Sequence, residues 1–185
     1  MRDFGNASDD DLLRDMAAGD EAAFVALYRR HQGSIYRFTL HMTGDPAAAE
    51  EITQEVFMFL IRRTRQYDAA RGSLAGFLIG IARNHVLRRL ERERIYASAP
   101  DDSHVCEHDV LGDIVRSRRI DAMRKALLAL PEHYREVLIL CELEEMDYAQ
   151  VAELLSCPVG TVRSRLNRAR AMLTSKLRSM ERCPA

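Results

Sequence analysis

Within residues 161–170 the chain places Thr161, Arg163, Ser164, Arg165, Asn167, Arg168 and Arg170. These side chains suit the reading of duplex DNA. An arginine fork matches the two acceptors on a guanine edge and an asparagine amide matches adenine, while further arginines and hydroxyls hold phosphates. The same composition also occurs on plain solvated helices and on membrane-surface or calmodulin-type segments. A second group, His104, Cys106 and His108, sets three possible metal ligands within one short run. Known zinc modules use paired, well-separated ligand sets, which this run lacks. No metal and no cofactor is therefore expected.

The elements around the arginines favour DNA. Asp147 is placed to cap a short helix, with Gln150 three residues later to close a capping box. Val151, Ala152 and Leu155 form the apolar face of that helix. Ser156, Cys157 and Pro158 break it, and Pro158 suits the first turn of the next helix because its missing N–H leaves nothing unpaired there. Val159, Val162, Leu166, Ala169, Leu173 and Leu177 then recur in steps of three and four. A short capped helix, a tight turn and a longer basic helix predict a helix-turn-helix whose second helix reads DNA.

Earlier in the chain, helical periodicity dominates and β-branched alternation is nearly absent, so the fold class is all-α. Ser8 to Ala18 forms a short acidic helix stopped near Gly19. Asp20 caps a second helix with Phe24, Leu27, Tyr28, His31, Ile35 and Phe38 inward; His31 reads as a core or boundary residue and not a ligand. Gly44, Asp45 and Pro46 supply a stop, a cap and a first-turn proline. In the third helix Ala49, Ile52, Val56, Phe59 and Leu60 make one stripe, while Phe57, Met58 and Ile61 fall off it. A helix apolar on two faces is central in a bundle or half-committed to a partner. After a loop from Tyr67 to Ser73, a fourth helix buries Leu74, Phe77, Leu78 and Ile81 and shows Arg83, Asn84, Arg88, Arg89 and Arg92. Rings and arginines at a loop and helix start suit unpaired bases.

Residues 97–115 break the periodicity and carry five acids without a lysine or arginine. They read as a long flexible linker, dividing the chain into an N-terminal helical bundle (1–96) and a C-terminal helix-turn-helix domain (116–185). Met123, Ala126, Leu127 and Leu130 begin the second domain, and Pro131 opens a helix with Tyr134, Val137, Leu138 and Cys141 inward. Apolar residues make up 47% and net charge is −1, with a sequence pI near 6.6. From Gly160 to Arg182, six arginines and one lysine face a single glutamate. A locally basic but globally neutral chain binds DNA weakly alone and relies on a partner to hold it there. No apolar run spans a bilayer, Asp9 to Asp11 sits where a signal peptide would be apolar, and four irregular cysteines suggest no disulfide framework. A cytoplasmic location is expected.

The segments AAAEEITQEVF, FLIGIARN, LPEHYREVLIL and DYAQVAELLSCPVGTVRSRLNRAR, in that order, resemble a sigma-70-type RNA polymerase sigma factor of the small extracytoplasmic-function (ECF) group, which keeps only regions 2 and 4. The resemblance runs from about Asp10 to Leu177. It implies that Glu51, Gln54, Glu55, Phe57 and Met58 dock on the β′ clamp helices of core RNA polymerase, with the β flap as a further contact. Tyr67, Arg71, Arg83, Asn84 and Arg88 would read and open the −10 promoter element. Thr161, Arg163, Ser164, Arg165, Asn167 and Arg168 would read the −35 element. An anti-sigma factor is implied as a further partner. The chain departs from the family where Phe77 replaces the usual Trp and Arg88 a frequent Asp; the first change keeps the packing, and the second bears on −10 preference.

Three classes of function compete. A promoter-recognition subunit accounts for both domains. A free-standing helix-turn-helix regulator accounts only for the second. An enzyme has no phosphate loop, nucleophile motif or framed carboxylate pair behind it.

Overall fold

The computed structural model describes residues 7–97 and 114–182. Eight α-helices run through these residues: α1 (Asp9–Ala17), α2 (Glu21–Thr43), α3 (Pro46–Arg63), α4 (Leu74–Ala97), α5 (Ile114–Leu128), α6 (Glu132–Leu138), α7 (Tyr148–Leu154) and α8 (Val159–Arg182). No strand occurs among the described residues, so the all-α expectation holds. The ligand run at His104, Cys106 and His108 lies outside them, as does most of the expected linker.

Short polar side chains set the helix starts by accepting from otherwise unpaired N–H groups. Ser8 caps α1, Asp20 caps α2 and Asp45 caps α3, with Pro46 in its first turn. The Gly76 amide donates to Ser73 Oγ at 3.2 Å at the start of α4. Gly44 ends α2 with φ 76°, a left-handed turn that favours glycine. Asp9 ties α1 to α2 by accepting from Arg30 at 2.6 Å, and it lies 2.9 Å from His31 Nε2. His31 is thus a satisfied core residue.

In the first half α2 packs against α1, α3 and α4, and α3 also packs against α4. Leu27, Ile35, Phe38 and Met42 of α2 meet Ile52, Val56 and Leu60 of α3 and Leu74, Leu78 and Val86 of α4 in one core. Phe57 of α3 belongs to the core, while Met58 and Ile61 stay exposed. Its ring is 2% exposed, lying 4.7 Å from the Tyr28 ring centroid and 6.2 Å, edge-on, from that of Phe24. A helix held between two others buries a wider arc than a single stripe, and Phe57 falls within it.

In the second half α8 packs against α5, α6 and α7. Ala126, Leu127 and Leu130 are buried as expected, but Met123 is exposed. Past Leu138 the helix widens into a π-helical turn over Ile139–Leu143, where the Glu144 amide donates to the Ile139 carbonyl at 3.0 Å. The widening carries Glu144 back toward α2.

The halves are not held apart. Leu127, Leu130, Val137 and Ile139 share one continuous apolar cluster with the core of the first half. A Cβ built on Gly44 would meet Leu128 at 2.7 Å, and one on Gly80 would meet Leu154 at 3.2 Å. The two helical units pack on each other: α2 and α4 form a seam with α5, α6 and α7.

Candidate nucleic-acid interface

The helix-turn-helix begins with the expected capping box. The Gln150 amide donates to Asp147 Oδ1 at 2.8 Å, and the Asp147 amide donates to Gln150 Oε1 at 3.2 Å. At the turn Ser156 takes a left-handed φ of 50°. The Ser156 amide donates to Glu153 at 3.0 Å and that of Cys157 to Ala152 at 2.9 Å, closing a Schellman motif. Pro158 sits one place before α8, its carbonyl accepting from Thr161 at 2.8 Å.

Val162, Leu166 and Ala169 turn α8 inward. Arg163, Ser164, Asn167 and Arg168 are exposed on the other side, with Thr161 and Arg165 half-buried at its flanks. The structure thus brings all six expected −35 residues onto one helical segment. The Arg163 guanidinium lies 5.9 Å above the Tyr148 ring. The Tyr134 hydroxyl accepts from Arg168 at 3.5 Å, which raises the arginine's already high pKa. Each guanidinium thus has a tyrosine neighbour, and both residues stay exposed. Arg170 instead pairs with Glu142, consistent with its place outside the reading set.

A second feature is a cleft of about 380 Å³ between the halves. Tyr67, Arg71, Phe77, Arg83 and Asn84 line one side; Met146, Gln150, Glu153 and Leu154 line the other. Four of the five expected −10 residues therefore converge. Arg88 does not line the cleft and is exposed elsewhere on α4. Two 3₁₀ turns, Thr64–Gln66 and Ala69–Arg71, shape the loop. The Tyr67 hydroxyl donates to the Gly72 carbonyl at 3.2 Å, and its ring lies 5.5 Å from that of Phe77. Burial, followed by the charge of Asp10, raises the Tyr67 pKa, so the hydroxyl stays a donor. Arg83 is engaged: its Nε donates to Glu136 at 2.6 Å.

On α3, Glu51, Gln54 and Glu55 are exposed, and Met58 and Ile61 are 45% and 48% exposed. Glu55 lies 2.6 Å from His85 Nδ1, and Glu51 accepts from Arg89 at 3.5 Å. Phe57 shares the helix but not this surface, and its buried ring removes it from the expected contact set.

Three buried charges carry no local signal in the chain. Arg135 is 8% exposed and Glu136 5%, and the Glu144 side chain is 4% exposed. Arg135 donates to the Met42 carbonyl, to Leu128 at 2.8 Å and to Leu130 at 3.1 Å. Burial lowers its pKa from the ordinary value. Glu144 accepts from Ser34 and, at 3.2 Å, from Arg37. Charged residues on a helix ordinarily read as surface, and only the packing of the halves encloses these.

A helical bundle followed by a helix-turn-helix defines a two-part DNA-binding protein. Comparison with known proteins narrows the class. The family described as Sigma-70 region 2 matches residues 27–95, and that described as Sigma-70, region 4 matches residues 120–173. The chain is 32% identical to the ECF RNA polymerase sigma factor SigE of Mycolicibacterium smegmatis, over 87% of this chain and 65% of that protein. It is 32% identical to the ECF RNA polymerase sigma factor SigK of a Mycobacterium species (strain KMS), over 85% of this chain and 84% of that one. The fold is similar to that of the sigma factor RpoE in its co-crystal structure with the anti-sigma factor NepR from Bartonella quintana. There the TM-score is 0.72 at 21% identity, covering 84% of this chain and 96% of that one. The chain belongs to the ECF group of sigma-70-type RNA polymerase sigma factors, which are transcription initiation factors.

Proposed function

We propose that this chain docks on core RNA polymerase and directs it to promoters by reading two DNA elements. The reading divides the chain into region 2 (1–96), a linker (97–115) and region 4 (116–185). The −35 element falls to Thr161, Arg163, Ser164, Arg165, Asn167 and Arg168. Tyr67, Arg71, Arg83 and Asn84 hold a base of the −10 element out of the stack, with Arg88 following the backbone outside the cleft. Glu51, Gln54, Glu55 and Met58 form the polymerase face. Promoter opening draws on binding energy, so the chain itself carries out no chemical step and needs no cofactor. A cytoplasmic location follows from that partner, and among the described residues no helix is long and apolar enough to cross a membrane. By analogy with NepR on RpoE, an anti-sigma factor is a further partner.

One observation carries the reading: an exposed Arg163–Arg168 face lies opposite the buried stripe of α8 in a capped helix-turn-helix. Run-off transcription and gel shift, with and without core polymerase, test it. Start-site-specific transcripts and tight promoter binding should appear only with core, and Gln54→Ala with Met58→Ala should abolish that gain. Tight, specific binding by the chain alone, unchanged by polymerase, would instead establish a free-standing regulator.

A further inference from the structure

The acids of the α3 face do not stand alone. Glu55 Oε2 lies 2.6 Å from His85 Nδ1, and Glu51 Oε2 accepts from Arg89 Nη1 at 3.5 Å. Both basic groups belong to α4, which packs along α3. Arg89 is held at two further points. Its Nη2 donates to Asp45 Oδ2 at 2.9 Å and its Nε to Glu93 Oε1 at 2.8 Å. Asp45 also caps α3, its other oxygen accepting from the Ala47 amide at 2.9 Å. One guanidinium thus ties together the start of α3, the acid at Glu51 and the next turn of α4.

Composition alone groups Arg89 with Arg88 and Arg92 as a basic face for nucleic acid. The structure separates them. Arg88 and Arg92 are exposed, whereas Arg89 and His85 are half-buried and engage the α3 acids. Isolated exposed ion pairs contribute little, but a fork shared among several carboxylates forms a network anchored on both helices. A glutamate loses rotamer freedom when it meets a partner, and that loss lowers affinity unless the side chain is ordered beforehand. Glu51 and Glu55 are each held through Oε2, which leaves Oε1 to a partner's donor. Arg89 does not neutralise the face, since three carboxylates share its charge.

We infer that His85 and Arg89 are positioning residues of the polymerase contact: from α4 they order Glu55 and Glu51 on α3 before core polymerase arrives. The inference rests on the docking reading of the α3 face given above.

The full chain, labelled with fluorescein at its N-terminus, is titrated with core polymerase and followed by anisotropy, and run-off transcription is measured at saturating chain. His85→Leu and Arg89→Met should each raise the Kd for core about threefold, and together about tenfold. Transcription at saturation should match wild type, because the acids remain and only their order is lost. His85→Asn, whose amide nitrogen can stand where Nδ1 stands, should restore binding to within about twofold of wild type. In a chain carrying Glu55→Ala, His85→Leu should cost nothing further. Arg89→Met makes the face more acidic, so tighter or unchanged binding would mean that charge alone governs docking and would overturn the brace. Equal losses in His85→Asn and His85→Leu would overturn it too, as would a deficit that persists at saturating chain, which would assign these residues to DNA. If Glu51→Ala and Glu55→Ala bind core as wild type does, the docking reading falls and the brace with it. A loss in those two, with none in His85→Leu and Arg89→Met, overturns the brace alone.

Discussion

Replacing Arg135 with alanine removes a buried guanidinium that serves two helix ends at once. Its fork donates to the Met42 carbonyl at the end of α2, to the Leu128 carbonyl at the end of α5 and to that of Leu130 just beyond it. Cations favour helix C-termini because the last carbonyls lack partners and carry the negative end of the dipole. Hydrogen bonds to a charged group contribute about 1.5–3 kcal/mol each, so three bonds give a gross loss of roughly 4.5–9 kcal/mol. Truncation also releases the guanidinium's desolvation penalty, several kcal/mol for a buried ion. Arg135 Nε, buried without a partner, shows that this penalty is not fully offset in the native state. The net loss should be about 3 kcal/mol, lowering Tm by roughly 6–12 °C in a chain of this size. Thermal unfolding followed by far-UV circular dichroism measures it. Arg135→Lys should recover less than half, because a point charge cannot fork to three carbonyls. A loss below about 1 kcal/mol, or full rescue by lysine, would refute this account of the site.

Three further outcomes are expected. Ser156→Gly should raise stability by roughly 0.5 kcal/mol in chemical denaturation, since it relieves a left-handed serine but gains chain entropy when unfolded; a lower midpoint would mean that the turn is unstrained. With core polymerase, a pre-melted promoter should restore transcription to Tyr67→Ala and Asn84→Ala, because unstacking costs a few kcal/mol that those residues offset. It should not restore Arg163→Ala, whose lost base contact costs about 1–3 kcal/mol and relaxes preference at one −35 base pair; equal rescue of all three would deny the loop a part in melting. Finally, burial and then Glu142 push the Cys141 thiol up to about 11. Stability linked to it is therefore complete below the unfolded thiol's pKa and is lost as pH rises from there through the folded value of about 11. At pH 8 the folded thiol should alkylate roughly a hundredfold more slowly than in the unfolded chain, read by peptide mass spectrometry, and equal rates would place Cys141 in solvent.

Local signals were legible because their causes are local. Asp20, Asp45, Ser73 and Asp147 cap helices whose starts need an acceptor two or three residues away, and the stripe of Val162, Leu166 and Ala169 follows from the helical period alone. What escaped depends on neighbours. Periodicity shows which side of α3 is buried but not how many helices press on it, so Phe57 fell off a stripe that is wider than one partner requires. Met123 shares the register of Ala126 and Leu127 yet stays exposed. Arg135, Glu136 and Glu144 sit on amphipathic segments where charge ordinarily means solvent. Their burial arises between segments far apart in sequence, Glu136 with Arg83 and Glu144 with Ser34, and no local pattern announces such a pair. The gathering of Tyr67, Arg71, Arg83 and Asn84 was visible as a set, but the wall opposite them was not.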